Sequence, residues 1–183
     1  MSKKILVPIA PGTEEMEAVI TVDMLRRAGF DVTVAGIEEI CECSRGVKIK
    51  ADLLLEELQH ALLFDAVVLP GGLEGTSAFA RSHTLGEILK SHKKNERLIA
   101  AICAAPTALH HHGIIDPQAK ITSHPSVAND LKNYEYSEER VVVDGNLVTS
   151  RGAGTAFDFA MKIIEKLKDA ETAEEISKSI VYK

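Results

Sequence analysis

The sequence predicts an α/β domain with a largely parallel central sheet and helices on both faces. Residues 5–10, 66–69 and 98–102 are short, almost unbroken apolar runs, the pattern of strands buried on both faces. The first run leads through a helical stripe into the Val- and Thr-rich stretch 31–36, a strand–helix–strand unit of the length a parallel crossover needs. Each run also stops at a turn or elbow: Pro11-Gly12, Pro70-Gly71-Gly72 and Cys103-Ala104-Ala105.

In chain order, Thr13 is placed to cap a helix over 14–28, with Glu14 and Glu15 at its positive end and Gly29 closing it. Residues 41–50 alternate, Cys41 and Cys43 around Glu42, then Val47 and Ile49 between lysines. With the turn Ser44-Arg45-Gly46, this is a half-exposed hairpin arm. Asp52 is placed to cap a short helix through residue 62. Helical character resumes over 85–92, and the strand 98–102 runs straight into Cys103. A short helix, a turn at Asp116-Pro117 and a strand at 121–122 follow. Residues 141–143 and 147–149 flank Asp144-Gly145 as a second hairpin. Thr155 and Asp158 have capping-box spacing for a helix to about 167, and 172–181 reads as a smaller helix. No repeat, linker or low-complexity tract interrupts the chain, so residues 1–183 read as one domain.

Composition narrows the function. Apolar residues are 45% of the chain and charged ones 26%, which suits a globular core and excludes a disordered or fibrous protein. No apolar run approaches the roughly 18 residues of a membrane helix. Twenty-one Lys and Arg against 27 Asp and Glu give −6, and Trp is absent, which argues against a nucleic-acid partner. The first residues enter a strand pattern at once and read as carrying no signal peptide. Three cysteines make no disulfide framework; free thiols point to a reducing compartment, the cytoplasm.

Open parallel sheets bind ligands outside the carboxyl ends of their strands, and polar or glycine-rich residues gather there. Cys103 sits where a tight strand-to-helix turn would project its sulfur, the geometry of a nucleophile elbow, with a helix N-terminus to favour thiolate. A buried, inert cysteine accounts for the same position. Glu17 shares a helical stripe with Ile20, Met24 and Ala28, so its carboxyl lies along an apolar face. Desolvation there would raise its pKa and let it hold a proton near neutrality; alternatively it reaches solvent or a backbone donor. Gly71 and Gly72 offer backbone N–H groups for an oxyanion hole, with the Ala104 N–H as second donor, although a tight turn explains two glycines equally well. Arg151 to Thr155 precede a helix and have the character of a phosphate or carboxylate cradle, but no P-loop lysine and no Gly-x-Gly-x-x-Gly is present, so ATP and dinucleotides are excluded. His124 follows a strand and is an acid–base candidate beside Cys103. His110, His111 and His112 point in different directions, and Cys41-Glu42-Cys43 has no second ligand pair, so no metal site is expected.

Five stretches carry a resemblance: residues 10–17, 43–45, 67–72, 101–107 (Ala-Ile-Cys-Ala-Ala-Pro-Thr) and 149–155 (Thr-Ser-Arg-Gly-Ala-Gly-Thr). With them the chain resembles the DJ-1/ThiJ/PfpI superfamily, in its DJ-1 and YajL-like branch, over nearly its whole length. The resemblance implies a flavodoxin-like three-layer sandwich, akin to class I glutamine amidotransferases, and a homodimer. It puts the family's reactive cysteine on Cys103, its protonated glutamate on Glu17, and backbone donors on Gly72 and Ala104. His124 matches a histidine beside the cysteine that some YajL-like members replace. Arg27 and Arg45 match arginines near the dimer interface and site mouth, and Cys43 a peripheral cysteine. Lys50 stands where a further DJ-1 cysteine would be, and Ala153 where DJ-1 has proline. PfpI-like proteases place histidine directly after the cysteine; here Ala104 stands there, which argues against peptidase activity.

The activity so implied is a cysteine-dependent glyoxalase or deglycase, with no cofactor and no metal, acting on methylglyoxal or its adducts on amines and thiols. The same residues fit a redox-sensing stress chaperone with client proteins, in which Cys103 is oxidised to sulfinate. A silent dimer is a third reading, and nothing in the residues supports the thiazole monophosphate label common on such chains.

Overall fold

The computed structural model describes residues 2–58 and 64–182. Seven strands form the main sheet in the order β10-β11-β7-β6-β1-β2-β5: β1 Lys4–Ile9, β2 Asp31–Gly36, β5 Leu53–Leu54, β6 Ala66–Leu69, β7 Leu98–Ile102, β10 Val141–Asp144 and β11 Leu147–Ser150. Every neighbouring pair is parallel except β10 with β11, which is the hairpin read around Asp144-Gly145.

The unbroken apolar runs have a simple cause. Along β6, Val67 and Leu69 face one helical layer while Ala66 and Val68 face the other, and β7 divides Ile99 and Ala101 from Leu98, Ala100 and Ile102 in the same way. On the first face lie helices α2 (Leu73–Arg81), α3 (His83–Lys94) and α4 (Pro106–His111), through Phe79, Leu85, Ile88 and Leu109. On the second lie α1 (Glu15–Arg27), α5 (Ala156–Leu167) and α6 (Ala170–Ser179), through Met24, Leu25, Phe159, Ile163 and Ile176. Burying a side chain such as Phe159 contributes about 1.5–3 kcal/mol. A three-layer α/β sandwich results. The hairpin β3 (Ile40–Glu42) and β4 (Lys48–Lys50) closes a smaller cluster of Ile9, Ala18, Val34, Cys41 and Ala51. Two further short strands, β8 (Lys120–Ile121) and β9 (Glu135–Tyr136), pair with each other. No helix among the described residues is long and apolar enough to cross a membrane.

Several local readings are corrected. Glu14, not Thr13, caps α1, accepting the Glu17 N–H; the Thr13 hydroxyl accepts the Ala10 N–H instead. Asp52 does not cap a helix: its carboxylate takes the Val34 N–H and pairs with Arg26, and β5 and a 3-10 turn, Leu55–Glu57, follow. Residues 59–63 of the helix expected over 52–62 lie outside the described residues. Helix α2 has no counterpart among the elements expected from the sequence; Gly75 within it packs on Thr13, where a Cβ would come within 2.8 Å. The Thr155–Asp158 capping box does not form, since Thr155 serves the turn before it and Asp158 pairs with Arg140. Helix α6 begins earlier than read, capped by Asp169 through the Thr172 N–H.

Candidate active site

Three loops at the carboxyl ends of β1, β6 and β7 meet at Cys103. The Glu14 N–H donates to the Gly71 carbonyl (2.9 Å), which stitches the first loop to the second. Cys103 is half-buried and has φ +64°, a left-handed conformation that L-residues adopt at a cost. Its backbone is pinned on both sides: its N–H donates to Ser150 O (3.0 Å), and its carbonyl accepts from the His124 N–H (2.8 Å). The elbow is therefore held by the neighbouring strand and by the loop after β8.

The glycines are required by close approach. A Cβ on Gly71 would stand 2.5 Å from the Cys103 Cβ and 2.7 Å from Glu17 Oε2; one on Gly72, at φ +90°, would stand 2.2 Å from Gly12 O. The Gly71 N–H is committed to Glu17 Oε2 at 2.7 Å, so it is not an oxyanion donor. The Gly72 and Ala104 N–H groups instead face the Cys103 sulfur and pull its pKa down.

Glu17 is wholly buried. Both readings of it meet here, because it finds a backbone donor without leaving the apolar face. Burial pushes its carboxyl up to about 7, against the pull of the Gly71 N–H and the Cys103 thiol. Its second oxygen, Oε1, has no hydrogen-bond partner at ordinary geometry. Burial, then the negative charge of an ionised Glu17, pushes the Cys103 thiol up to about 12, although the two N–H groups pull it down. The expected thiolate-favouring helix end is thus outweighed while Glu17 is ionised. That repulsion vanishes when Glu17 holds its proton.

Cys103 opens into a cavity of about 480 Å³ whose walls include Glu14, Arg45, Gly72, Glu74, Ala104, His124, Ser126 and Ala153. His124 is exposed, and its Nδ1 accepts the Ser126 N–H (3.2 Å) beside the Ser126 hydroxyl (2.8 Å), which leaves the ring proton of the neutral form on Nε2. Arg45 lines the mouth, where a clamp not read from the sequence holds it: Glu15 Oε2 accepts the Ser44 hydroxyl and Oε1 the Arg45 N–H, both at 2.8 Å. Burial opposes that carboxylate, but these donors prevail and its pKa lies below the usual value. Adjacent acidic residues at a helix start have the pattern of dipole partners, so no sequence signal marks the clamp.

The remaining candidates lie elsewhere. Arg27 pairs with Asp23 on α1 and lines a separate groove of about 570 Å³ between α1 and β4, which contains neither Cys103 nor Glu17. Arg151 is outside the cavity, its guanidinium donating to Ser123 O and Glu138 O. The 151–155 turn is not shaped as an anion cradle: the Arg151 and Gly152 N–H groups already donate to Thr155 Oγ1. Cys43 is buried away from the cavity, and burial together with the Glu15 charge pushes its thiol up to about 11. No group of three or more metal-ligating side chains occurs among the described residues.

A sequence model of the DJ-1/PfpI family matches residues 3–166. The chain belongs to the DJ-1/PfpI family. Within it, the chain is 49% identical to Protein dj-1beta of Drosophila melanogaster over 185 residues, 99% of this chain and 98% of that one. The crystal structure of that fly protein superposes with a TM-score of 0.95 at 48% identity, covering 100% of both chains, which establishes the DJ-1 branch and its flavodoxin-like sandwich. The glutathione-independent glyoxalase DJR-1.2 of Caenorhabditis elegans is 37% identical, across 97% of this chain and 96% of that one. A solved Toxoplasma gondii DJ-1, described as oxidized, has a TM-score of 0.92 at 39% identity over 99% of each chain.

Proposed function

We propose that the chain is a cysteine-dependent glyoxalase or deglycase, acting on methylglyoxal or its adducts and protecting against carbonyl and oxidative stress. The observation that carries this is the Cys103 elbow, with two backbone N–H groups directed at the sulfur and a wholly buried glutamate beside it. The glyoxalase name of the Caenorhabditis relative supports the reaction type.

Cys103 and Glu17 act as one unit with a single proton to lose near neutrality. The Cys103 thiol meets the Glu17 carboxyl, so a proton held by that carboxyl gives the thiolate a third hydrogen bond. The thiolate attacks the aldehyde carbon of methylglyoxal and forms a C–S bond, while the carbonyl electrons move to oxygen beside the Gly72 and Ala104 N–H groups. Glu17 gives its proton to that oxygen and, now a carboxylate, carries the proton of the first carbon to the adjacent one, while the hydroxyl proton passes to the adjacent oxygen and leaves a thioester. The first carbon is oxidised as the second is reduced, so no external oxidant is consumed. Water cleaves the resulting thioester, which releases lactate and restores the thiol. His124 Nε2–H is a hydrogen-bond donor toward the ligand, and Arg45 meets it at the mouth. No organic cofactor or metal takes part in this sequence.

The rate of Cys103 alkylation by iodoacetamide against pH, in the wild type and in Glu17→Gln, tests the unit. Lactate formation from methylglyoxal, followed by NMR, tests the reaction. A thiol that reacts at the ordinary pH range of about 8.5, unmoved by Glu17→Gln, with no lactate formed, overturns the reading.

A second reading, oxidation of Cys103 to sulfinate in a redox-sensing stress chaperone, is favoured by the oxidized state of the Toxoplasma relative and by the free Glu17 Oε1 that a sulfinate oxygen would engage. The chain further fits a single domain over residues 1–183, a cytoplasmic setting for its three free thiols, and a homodimer. The groove between α1 and β4, with exposed Val19 beside Val22 and Ile49, supports the last. Sedimentation velocity tests it, and a monomer at micromolar concentration would exclude it.

A further inference from the structure

The family match ends at residue 166, and the last described residue beyond it packs back on the start of α5. After α6, Val181 takes φ +58°, a left-handed conformation that a β-branched side chain strongly resists, while its own side chain is 91% exposed. Nothing packed on Val181 compensates that strain, so the compensation lies with its neighbour. The N–H of Tyr182 donates to Ser177 O (3.0 Å), its ring stacks on Phe157 (centroids 4.9 Å apart), and its hydroxyl donates to Asp158 Oδ1 (2.9 Å).

Asp158 is a relay. Its Oδ2 accepts from Arg140 Nε (2.8 Å), and a second nitrogen of the same guanidinium donates to Gly154 O (2.7 Å). Gly154 lies in the turn whose Ala153 forms part of the cavity wall. Gly152 of that turn backs His124, since a Cβ there would stand 3.4 Å from the imidazole Cδ2. The fixed guanidinium therefore joins the Tyr182 contact to the turn behind the reactive thiol.

We infer that Tyr182 is a positioning residue for the Cys103 site: by closing on Asp158 it fixes, through Arg140, the 152–155 turn that walls the cavity and backs His124. The inference rests on that cavity being the reactive site, but its test needs no turnover. In Tyr182→Ala, amide exchange of residues 152–155 rises about tenfold or more relative to the wild type, the His124 ring signals shift, and the rate of Cys103 alkylation changes. Tyr182→Phe keeps the stack and loses the hydroxyl contact, so it shows the same changes in smaller measure. Val181→Gly removes the strain while keeping Tyr182, and leaves the His124 signals and the alkylation rate at their wild-type values. Exchange that rises only within residues 177–182 overturns the inference. So does faster exchange in 152–155 with His124 and Cys103 unmoved. Loss of methylglyoxal turnover in every protein, wild type included, would instead count against the proposed reaction and leave these readouts to decide the positioning role.

Discussion

The hairpin region gathers Cys41, Cys43 and Glu15; the elbow region gathers Cys103 and Glu17. Cys43 lies under the charge of Glu15 and Cys103 under that of Glu17, both in the first turn of α1; all three thiols are buried or half-buried, and burial pushes each of them up. The difference lies in the carboxyl that stands beside the sulfur. At the hairpin, the Arg45 N–H and the Ser44 hydroxyl go to Glu15, which stays ionised, and the backbone at Glu38 and Ile37 pulls the Cys41 thiol down without overcoming its burial. At the elbow, Gly72 and Ala104 direct their N–H groups at sulfur, Glu17 receives the Gly71 N–H and the Cys103 thiol, and burial still raises its carboxyl to about 7. Burial with backbone donors, as at Cys41, leaves a raised thiol; a carboxyl poised near neutrality beside the sulfur makes a reactive one.

The largest effect that would break this comparison is at the thiols. Cys103→Ala is expected to lower lactate formation on the order of 10³-fold or more, whereas Cys41→Ser and Cys43→Ser leave it within about twofold and cost about 1–3 kcal/mol of stability for the buried hydroxyl. Turnover and urea midpoints measure the two. Next is Glu17→Gln, which still accepts the Gly71 N–H but cannot carry a proton, so kcat falls about 10²- to 10⁴-fold. Its stability effect has a definite sign. Glu17 has its pKa raised from 4.5 to about 7 on folding, so its contribution is fully present below 4.5 and is lost as pH rises through about 7. That loss is on the order of 3 kcal/mol, and Glu17→Gln removes it. The variant therefore gains stability relative to wild type between pH 4.5 and pH 8, read from denaturation midpoints across that range.

Much of this contrast is legible in the sequence. The apolar runs 66–69 and 98–102 mark their strands because both faces of each are covered, and Cys103 and Glu17 stand out as a thiol at a strand end and a charge on an apolar stripe. What stays hidden depends on hydrogen bonds between segments far apart in sequence. Gly71-Gly72 looks like an ordinary turn until Cys103, Glu17 and Gly12 are brought against it. Glu15 looks like a dipole partner until the hairpin 29 and 30 residues later closes on it. Arg151 looks like an anion ligand because the sequence does not disclose that Ser123 and Glu138 already occupy its guanidinium.

A smaller effect sharpens the hairpin side. Glu15→Gln replaces an acceptor-only group with one that must present an N–H toward other donors, which frees the Ser44–Arg45 turn and costs about 1–3 kcal/mol. Glu15 has its pKa lowered on folding, so its contribution is present above 4.5 and is lost as pH falls through the lower folded value. Wild type and Glu15→Gln therefore converge in stability at acid pH, as the Glu17 pair does, but at neutral pH the wild type is the more stable of this pair and the variant the more stable of the other. Thermal melts at pH 3 and pH 7 separate the two behaviours.

The smallest effect is expected at His124, and it tests whether the elbow needs a second proton carrier. The ring's Nδ1 is engaged with Ser126, and no carboxylate is among its hydrogen-bond partners to orient it as an acid–base relay. The contact that does hold the elbow, from the His124 N–H to Cys103 O, is backbone and survives any substitution but proline. His124→Ala should therefore lower kcat by less than about tenfold, well short of the 10² to 10⁴ of a general acid or base, raise KM through loss of the Nε2–H donor, and leave the pH profile of Cys103 alkylation in place. A fall in kcat of about a hundredfold or more, with that alkylation profile unchanged, would give His124 a share of the proton transfer and remove the claim that Glu17 alone separates the elbow from the hairpin.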